Sequence, residues 1–286
     1  MAHRVSRGTL AALTVAALCC FAGNSLLARV ALRSGEIDAA SYTLIRLASG
    51  AAMLFALLRL RRARSGAAAP RGGSWASAAA LFLYAGLFSL AYLRLSAGTG
   101  ALLLFGAVQV AMIGRGLAAG ERPRALEWAG LAAALGGLTW LVLPGLAAPD
   151  PISAALMLGA GAAWGWYSLR GRAAVDPLAT TADNFARAAP MAALCALPFL
   201  PQMHLGPRGI GLAVASGALA SGVGYSFWYA ALPSLSRLRA GLVQLSVPVL
   251  AAAGGVLLLG EALSGRLAIS AIAIVGGIGM ALAGRR

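Results

Sequence analysis

"LAAGERPRALEWAGLAAALGG" (117–137) and "LLLGEALSGRLAISAIAIVGG" (257–277) stand 140 residues apart and share their punctuation. Gly120 and Glu121 fall on Gly260 and Glu261, and Gly136 and Gly137 on Gly276 and Gly277. Ala and Leu matches come cheaply in an apolar chain; a charged Gly-Glu pair in register with Gly-Gly does not. The same offset pairs "RLSAGTGALLL" (94–104) with "SLSRLRAGLVQ" (234–244), laying Leu95 and Ser96 on Leu235 and Ser236. The chain is therefore expected to be two copies of one unit, 1–145 and 146–286, in a single membrane domain.

The membrane assignment comes from composition. Of 286 residues, 60% are hydrophobic and 11% charged, and the mean hydropathy is +0.82, far more apolar than a soluble domain. Apolar runs near the roughly 20 residues needed to cross a bilayer recur along the whole chain. They predict ten transmembrane helices, near 9–32, 39–60, 74–93, 96–119, 125–143, 152–170, 178–200, 209–232, 238–259 and 265–283. Connections such as "RRARSGAAAPRGG" (61–73), "PGLAAPDP" (144–151) and "PQMHLGPR" (201–208) have turn composition, and none is long enough for a soluble domain. The opening "MAHRVSRGTLAALTVAALCCFAGNSLL" (1–27) has the basic and apolar regions of a signal peptide. Its apolar region is too long and lacks a clear cleavage site, so it is expected to stay as the first helix.

A net charge of +15 suggests nucleic acid at first sight, but the arginines cluster at the ends of apolar segments, as topology signals do. All 23 basic residues are Arg. Sixteen fall on the side of the N-terminus and five (Arg29, Arg33, Arg94, Arg208 and Arg266) on the other, with Arg46 and Arg187 inside spans. The richer side is expected to be cytoplasmic, with both termini there. Cys19, Cys20 and Cys195 lie within apolar segments and suggest neither a disulfide nor a metal site.

Five spans per copy make the second copy enter the bilayer from the opposite side, so the repeats are inverted, a frequent plan for secondary transporters. The chain resembles the drug/metabolite transporter superfamily, specifically its EamA-type exporters. The residues carrying the resemblance are "FAGNSLLAR" (21–29) and "AAWGWYSLRGR" (162–172), the Arg-containing second helices, "GTGALLLFGAVQVAMIG" (98–114) with "RAGLVQLSVPVLAAAGGVLLLGEAL" (239–263), and the closing Gly-Gly helices. Among these it looks most like bacterial amino-acid exporters, including the aromatic amino-acid type. It departs from the family at Ala22-Gly23, where Trp-Gly is frequent; the second copy keeps that form at Trp164-Gly165.

Arg46 stands inside "YTLIRLASGAAMLF" (42–55), roughly 10 Å from the outer end of its helix at 1.5 Å per residue. One account makes it a bidentate clamp for a substrate carboxylate. The other makes it a gate or anchor that snorkels to water or to backbone carbonyls. Arg187 holds the corresponding place in the second copy, and Asp183 four residues earlier is spaced to pair with it; proton coupling is a further role for Asp183. Glu121 and Glu261, beside glycines at helix ends, suit turn and capping work. Tyr84, Phe88 and Tyr92 recur every four residues, while Tyr225, Trp228 and Tyr229 cluster in the eighth span and Trp228 matches Phe88 at the repeat offset. Aromatic walls of one central cavity, or helix packing, explain both groups. Trp164, Trp166 and Tyr167 are open to either account, whereas Trp75, Trp128 and Trp140 suit an interfacial belt. Asn24, Gln109, Gln244 and Ser246 are midspan polar groups that should face protein or water. Pro248 frees a backbone carbonyl, for a cavity or for a packing kink. Ala273, Gly277 and Ala281 let helices approach closely, within the chain or across a dimer.

The function these features point to is export of amino acids or similar small metabolites across a bacterial inner membrane by alternating access. A drug exporter of the same superfamily is the neighbouring alternative, and a non-transporting structural or binding membrane protein is the alternative of a different class. Cationic drugs call for a cavity carboxylate, which is scarce here. No Ser/His dyad, HExxH or paired carboxylates point to an enzyme, His3 and His204 lie outside the spans, and nothing calls for a cofactor or a metal. The partners expected are a small-molecule substrate and the lipid bilayer.

Overall fold

The computed structural model describes residues 6–65, 72–118, 120, 124–143, 145, 148–171, 174–235, 243–244 and 246–284. Among these, ten helices follow one another: α1 (Arg7–Arg33), α2 (Ala39–Ser65), α3 (Trp75–Tyr92), α4 (Ala97–Ala118), α5 (Ala125–Val142), α6 (Pro151–Gly171), α7 (Pro177–Ala196), α8 (Pro207–Ala231), α9 (Ser246–Leu259) and α10 (Gly265–Ala283). The only β feature among the described residues is an isolated bridge between Ile37 and Leu205. The all-helical class is as expected. Glu121 and the first residues of the ninth predicted span lie outside the described residues.

Short polar side chains set the helix starts. Ser6, Ser74, Asp176 and Ser264 accept the backbone N–H three residues on, at 3.1–3.2 Å, at the heads of α1, α3, α7 and α10. Asp38 and Asp150 do the same for α2 and α6 at 2.8 Å. Each cap satisfies one of the donors that a helix N-terminus leaves open.

Asp38 also joins two loops: its second carboxylate oxygen accepts the His204 N–H at 3.1 Å, beside a 2.7 Å bond from Gly206 N–H to the Glu36 carbonyl. Burial pushes the Asp38 carboxyl up, but hydrogen bonds from Ser41 and from the backbone of His204 and Ala40 outweigh it and hold the group below the usual carboxylate range. A depressed carboxylate stabilises the fold above its unfolded pKa and loses that contribution as pH falls through its folded value. Asp38→Ala is therefore expected to cost about 1 kcal/mol at pH 7. In detergent melts the gap from wild type should narrow below about pH 4.

Five helices, α1, α2, α3, α5 and α8, are long and apolar enough to cross a membrane. α4, α9 and α10 contain shorter apolar stretches, Ala97–Ala111, Ser246–Leu259 and Gly265–Ala281. The polarity of the molecule is inside out: Leu257, Leu258 and Ile272 are 75–80% exposed, while Asn24, Arg46, Thr181, Asn184 and Ser216 are buried. An apolar exterior around polar interior groups suits lipid as the solvent.

α5 packs along α10, α6 lies between α3 and α4, and α7 lies between α2 and α3. α8 lies against α1 and α2, and α9 against α1 and α4. Glycines permit the closest of these approaches. A Cβ on Gly130 would overlap the Gly277 carbonyl, and one on Gly277 would overlap the Gly130 carbonyl. The Ala273-Gly277-Ala281 face is thus used within the chain, against α5.

Within α8, residues Ala215–Val223 form a π-helical segment of nine residues. Such segments are rare and cluster at functional sites. Here it turns Ser216 toward α1 and sets Gly217 against the Arg46 carbonyl of α2.

Candidate functional site: a buried arginine in an aromatic core

α2 carries Arg46 into the interior, where the residue is 2% exposed. Its Nη2 donates to the Tyr84 hydroxyl at 2.9 Å, and the guanidinium lies 4.7 Å from the Phe88 ring centre and 5.1 Å from that of Tyr84. Nε and Nη1 have no acceptor. With one hydrogen on Nε, two on Nη1 and a second on Nη2, four of its five donors are unused. A desolvated cation–π contact gives about 2 kcal/mol, less than the several kcal/mol that burying an ion costs. The site holds a positive charge that its own side chains only partly compensate.

A polar relay continues from it. Tyr84 Oη also accepts from Asn24 Nδ2 at 3.5 Å, and Asn24 Oδ1 accepts from Ser216 Oγ at 2.6 Å. Four helices, α1, α2, α3 and α8, thus meet through four polar side chains. Around them runs a chain of rings: Tyr92 to Phe88 at 4.7 Å, Phe88 to Tyr84 at 5.5 Å, Tyr84 to Trp164 at 4.8 Å and Trp164 to Tyr225 at 5.5 Å. Spacing of four residues on α3 puts its three aromatics on one face, and that face looks inward. Phe185, Phe21 and Tyr229 border Tyr225, and Phe21 links it to Trp228 at 6.0 Å. Tyr92 and Trp228 are therefore at opposite ends of one aromatic run, with Phe88 next to Tyr92.

The second arginine has different surroundings. Asp183 and Arg187 form no ion pair among the described residues, which corrects the expectation from their spacing. Asp183 instead accepts the backbone N–H groups of Gly72 and Gly73 at 3.2 and 3.4 Å, and Arg187 lies 5.9 Å from the Trp75 ring centre. The physical reason is competition: the α3 entry loop offers donors to the carboxylate, while the neighbouring ring receives the cation. Asn184 completes this junction by accepting the Ser74 N–H at 2.9 Å.

A search of known families matches residues 151–283, α6 to α10, to the EamA-like transporter family. Similarity also extends over nearly the whole chain: an uncharacterized protein of Pseudomonas aeruginosa is 55% identical over 273 residues, 96% of this chain and 94% of that one.

The chain belongs to the EamA-like transporter family.

A solved crystal structure, 23% identical, superposes with a TM-score of 0.69 over 98% of this chain and 100% of that one, so the helical arrangement is one already seen experimentally. Family membership and the multiple apolar helices make this EamA-like transporter a multi-pass membrane protein whose substrate is a small molecule.

Not every candidate residue joins the core of this EamA-like transporter. Gln109 is buried on α4, and Gln244 is half-buried, but no hydrogen bond or ring contact ties either to the aromatic run among the described residues. Ser246 donates to the Val243 carbonyl at 2.6 Å. Pro248 is buried on α9. Trp75, Trp128 and Trp140 are 46–63% exposed. Arg46 does not snorkel, since its guanidinium ends on Tyr84 rather than in water.

Sequence reasoning missed Tyr42, Ser216 and a long-range pair. Tyr42 is buried with its hydroxyl unpartnered and, with Tyr84 and Tyr225, is an electrostatic neighbour of Arg46. Arg29 Nε donates to Glu261 Oε1 at 3.0 Å, and its Nη1 reaches the Tyr92 and Leu93 carbonyls at 3.3 and 3.4 Å. Glu261 Oε2 accepts the Ala97 N–H at 2.8 Å. Gly260, at φ +63°, makes the turn that brings Glu261 back to α4, so the expected helix-end role is joined to an ion pair. One end of each of α1, α3, α4 and α9 is thus tied at one point. At the other end Arg61 pairs with Asp176, and Arg170 donates to Ser77 at 3.1 Å.

Proposed function

We propose that this EamA-like transporter is a secondary transporter of ten spans, built as two inverted repeats (1–145 and 146–286) around a central cavity. It exports amino acids or similar small metabolites across the bacterial inner membrane by alternating access, with both termini in the cytoplasm. The observation that carries the reading is the polar relay of Arg46, Tyr84, Asn24 and Ser216 inside an aromatic run, enclosed by an apolar exterior. Buried polar side chains at membrane depth mark solute paths more often than packing alone demands.

The helix contacts support the repeat. Adding five to each helix number turns the α3–α6 pair into α8–α1, α4–α6 into α9–α1 and α2–α8 into α7–α3, all of which pack. The α5–α10, α2–α7 and α4–α9 pairs map onto themselves. The family match to α6–α10 alone fits a five-helix unit. Asn24, Tyr84, Trp164 and Tyr225 would line the cavity, with Phe88 and Trp228 toward its two ends; Gln109, Gln244 and Ser246 would face it as the α4 and α9 side moves. Asp183 and Arg187 would act at the cytoplasmic mouth.

Flux of labelled amino acids in proteoliposomes, with and without a proton gradient, tests the function. Uptake of at least one member above empty liposomes is expected. Zero flux across the panel refutes it.

A further inference from the structure

Among the described residues, the interior of the aromatic core has a cation and no acid. The chain has eight acidic residues; Asp38, Asp150 and Asp176 cap helices, and Asp183 and Glu261 are committed to backbone N–H groups and Arg29. Glu36 lies in the α1–α2 loop and Glu127 in the first turn of α5; Glu121 lies outside the described residues. Among the described residues, no hydrogen bond or ion pair brings a carboxylate to Arg46. Its unused Nε and Nη1 donors are fully shielded, as is the Tyr42 hydroxyl.

We propose that Arg46 is the recognition point for the carboxylate of a small organic acid, and that the site selects its ligand by negative charge rather than as a zwitterion. This rests on the transport cavity proposed above and names the charge class of its substrate. A guanidinium offers a carboxylate two parallel N–H bonds, from Nη2 together with either Nε or Nη1; in Arg46 both of those partners are free, and one of the two N–H groups of Nη2 donates to Tyr84 and holds the group in place. The rings of Phe88, Trp164 and Tyr225 supply walls for an apolar body. An ammonium group would find only neutral oxygens and ring faces there, beside a like charge. Its presence therefore adds little to binding, and a ligand carrying ammonium without carboxylate is repelled.

Two matched sets of probes test this by titration calorimetry on the purified full-length protein: leucine, 4-methylpentanoate and leucinamide, and phenylalanine, 3-phenylpropanoate and phenylalaninamide. In at least one set, the acid lacking ammonium should bind at least as tightly as the amino acid, and the amide roughly tenfold or more weakly, as loss of a bidentate charged contact implies. Arg46→Gln should bring the acid and amino acid down to the affinity of the amide. Should that variant fail to fold, Tyr84→Phe should weaken the acids severalfold and leave the amides unchanged. Amides binding as well as acids, no binding by any of the six, or variants that shift acids and amides alike would overturn the proposal. Flux without this charge ranking would sink the anion site and leave transport standing; the ranking without flux would do the reverse.

Discussion

Replacing Glu261 with alanine should destabilise the folded protein by about 3–5 kcal/mol, the range for breaking one side of a buried ion pair. The pair is enclosed, with side chains 11% and 8% exposed. Alanine leaves the Arg29 charge buried with only two backbone carbonyls, and it uncaps α4 at Ala97. Glu261→Gln should fall between alanine and wild type, because its amide oxygen still accepts the Ala97 N–H. Thermal and denaturant unfolding in the same detergent checks both. A double-mutant cycle with Arg29→Ala should return a coupling of about 0.5–3 kcal/mol, as for residues in direct contact. Additive losses would show that the two side chains act independently.

The second large effect concerns the α5–α10 pair. Gly277→Val should cost about 1–3 kcal/mol or more through overpacking. The added side chain meets the Gly130 carbonyl and the Ala134 N–H, which are backbone atoms that move only if the helices separate. Gly279 offers the control, because a Cβ there meets nothing within 4 Å. Gly279→Ala should be neutral or stabilising by about 0.5–1 kcal/mol, the gain of alanine over glycine in a helix. Equal losses at the two sites would contradict close packing of α5 on α10.

Helix positions were legible because membrane spans announce themselves by length and apolarity. The span expected at 152–170 is α6 at Pro151–Gly171, and that at 265–283 is α10 at Gly265–Ala283. Sidedness around each helix was harder to see. In an apolar chain the lipid face and the core face have similar composition, so nothing but spacing on α3 pointed Tyr84, Phe88 and Tyr92 inward. Ser216 was hidden for a different reason: its direction depends on the π segment of α8, and "ASGALASGV" (215–223) is also an ordinary small-residue packing run. The Arg29–Glu261 pair spans 232 residues and no periodicity encodes it. Even so, the Gly-Glu motif marked one of its partners. For Asp183 and Arg187, local spacing promised a pair, and the tertiary partners at Gly72, Gly73 and Trp75 won.

The most direct test of the account is whether Ser216, buried between α8 and Asn24, is reached from both sides of the membrane. Ser216→Cys would be placed in a chain whose Cys19, Cys20 and Cys195 are replaced by alanine. A membrane-impermeant thiol reagent would then be applied to one face or the other of oriented vesicles. Alternating access around this core predicts labelling from either face. Labelling from one face alone, or from neither, would contradict it.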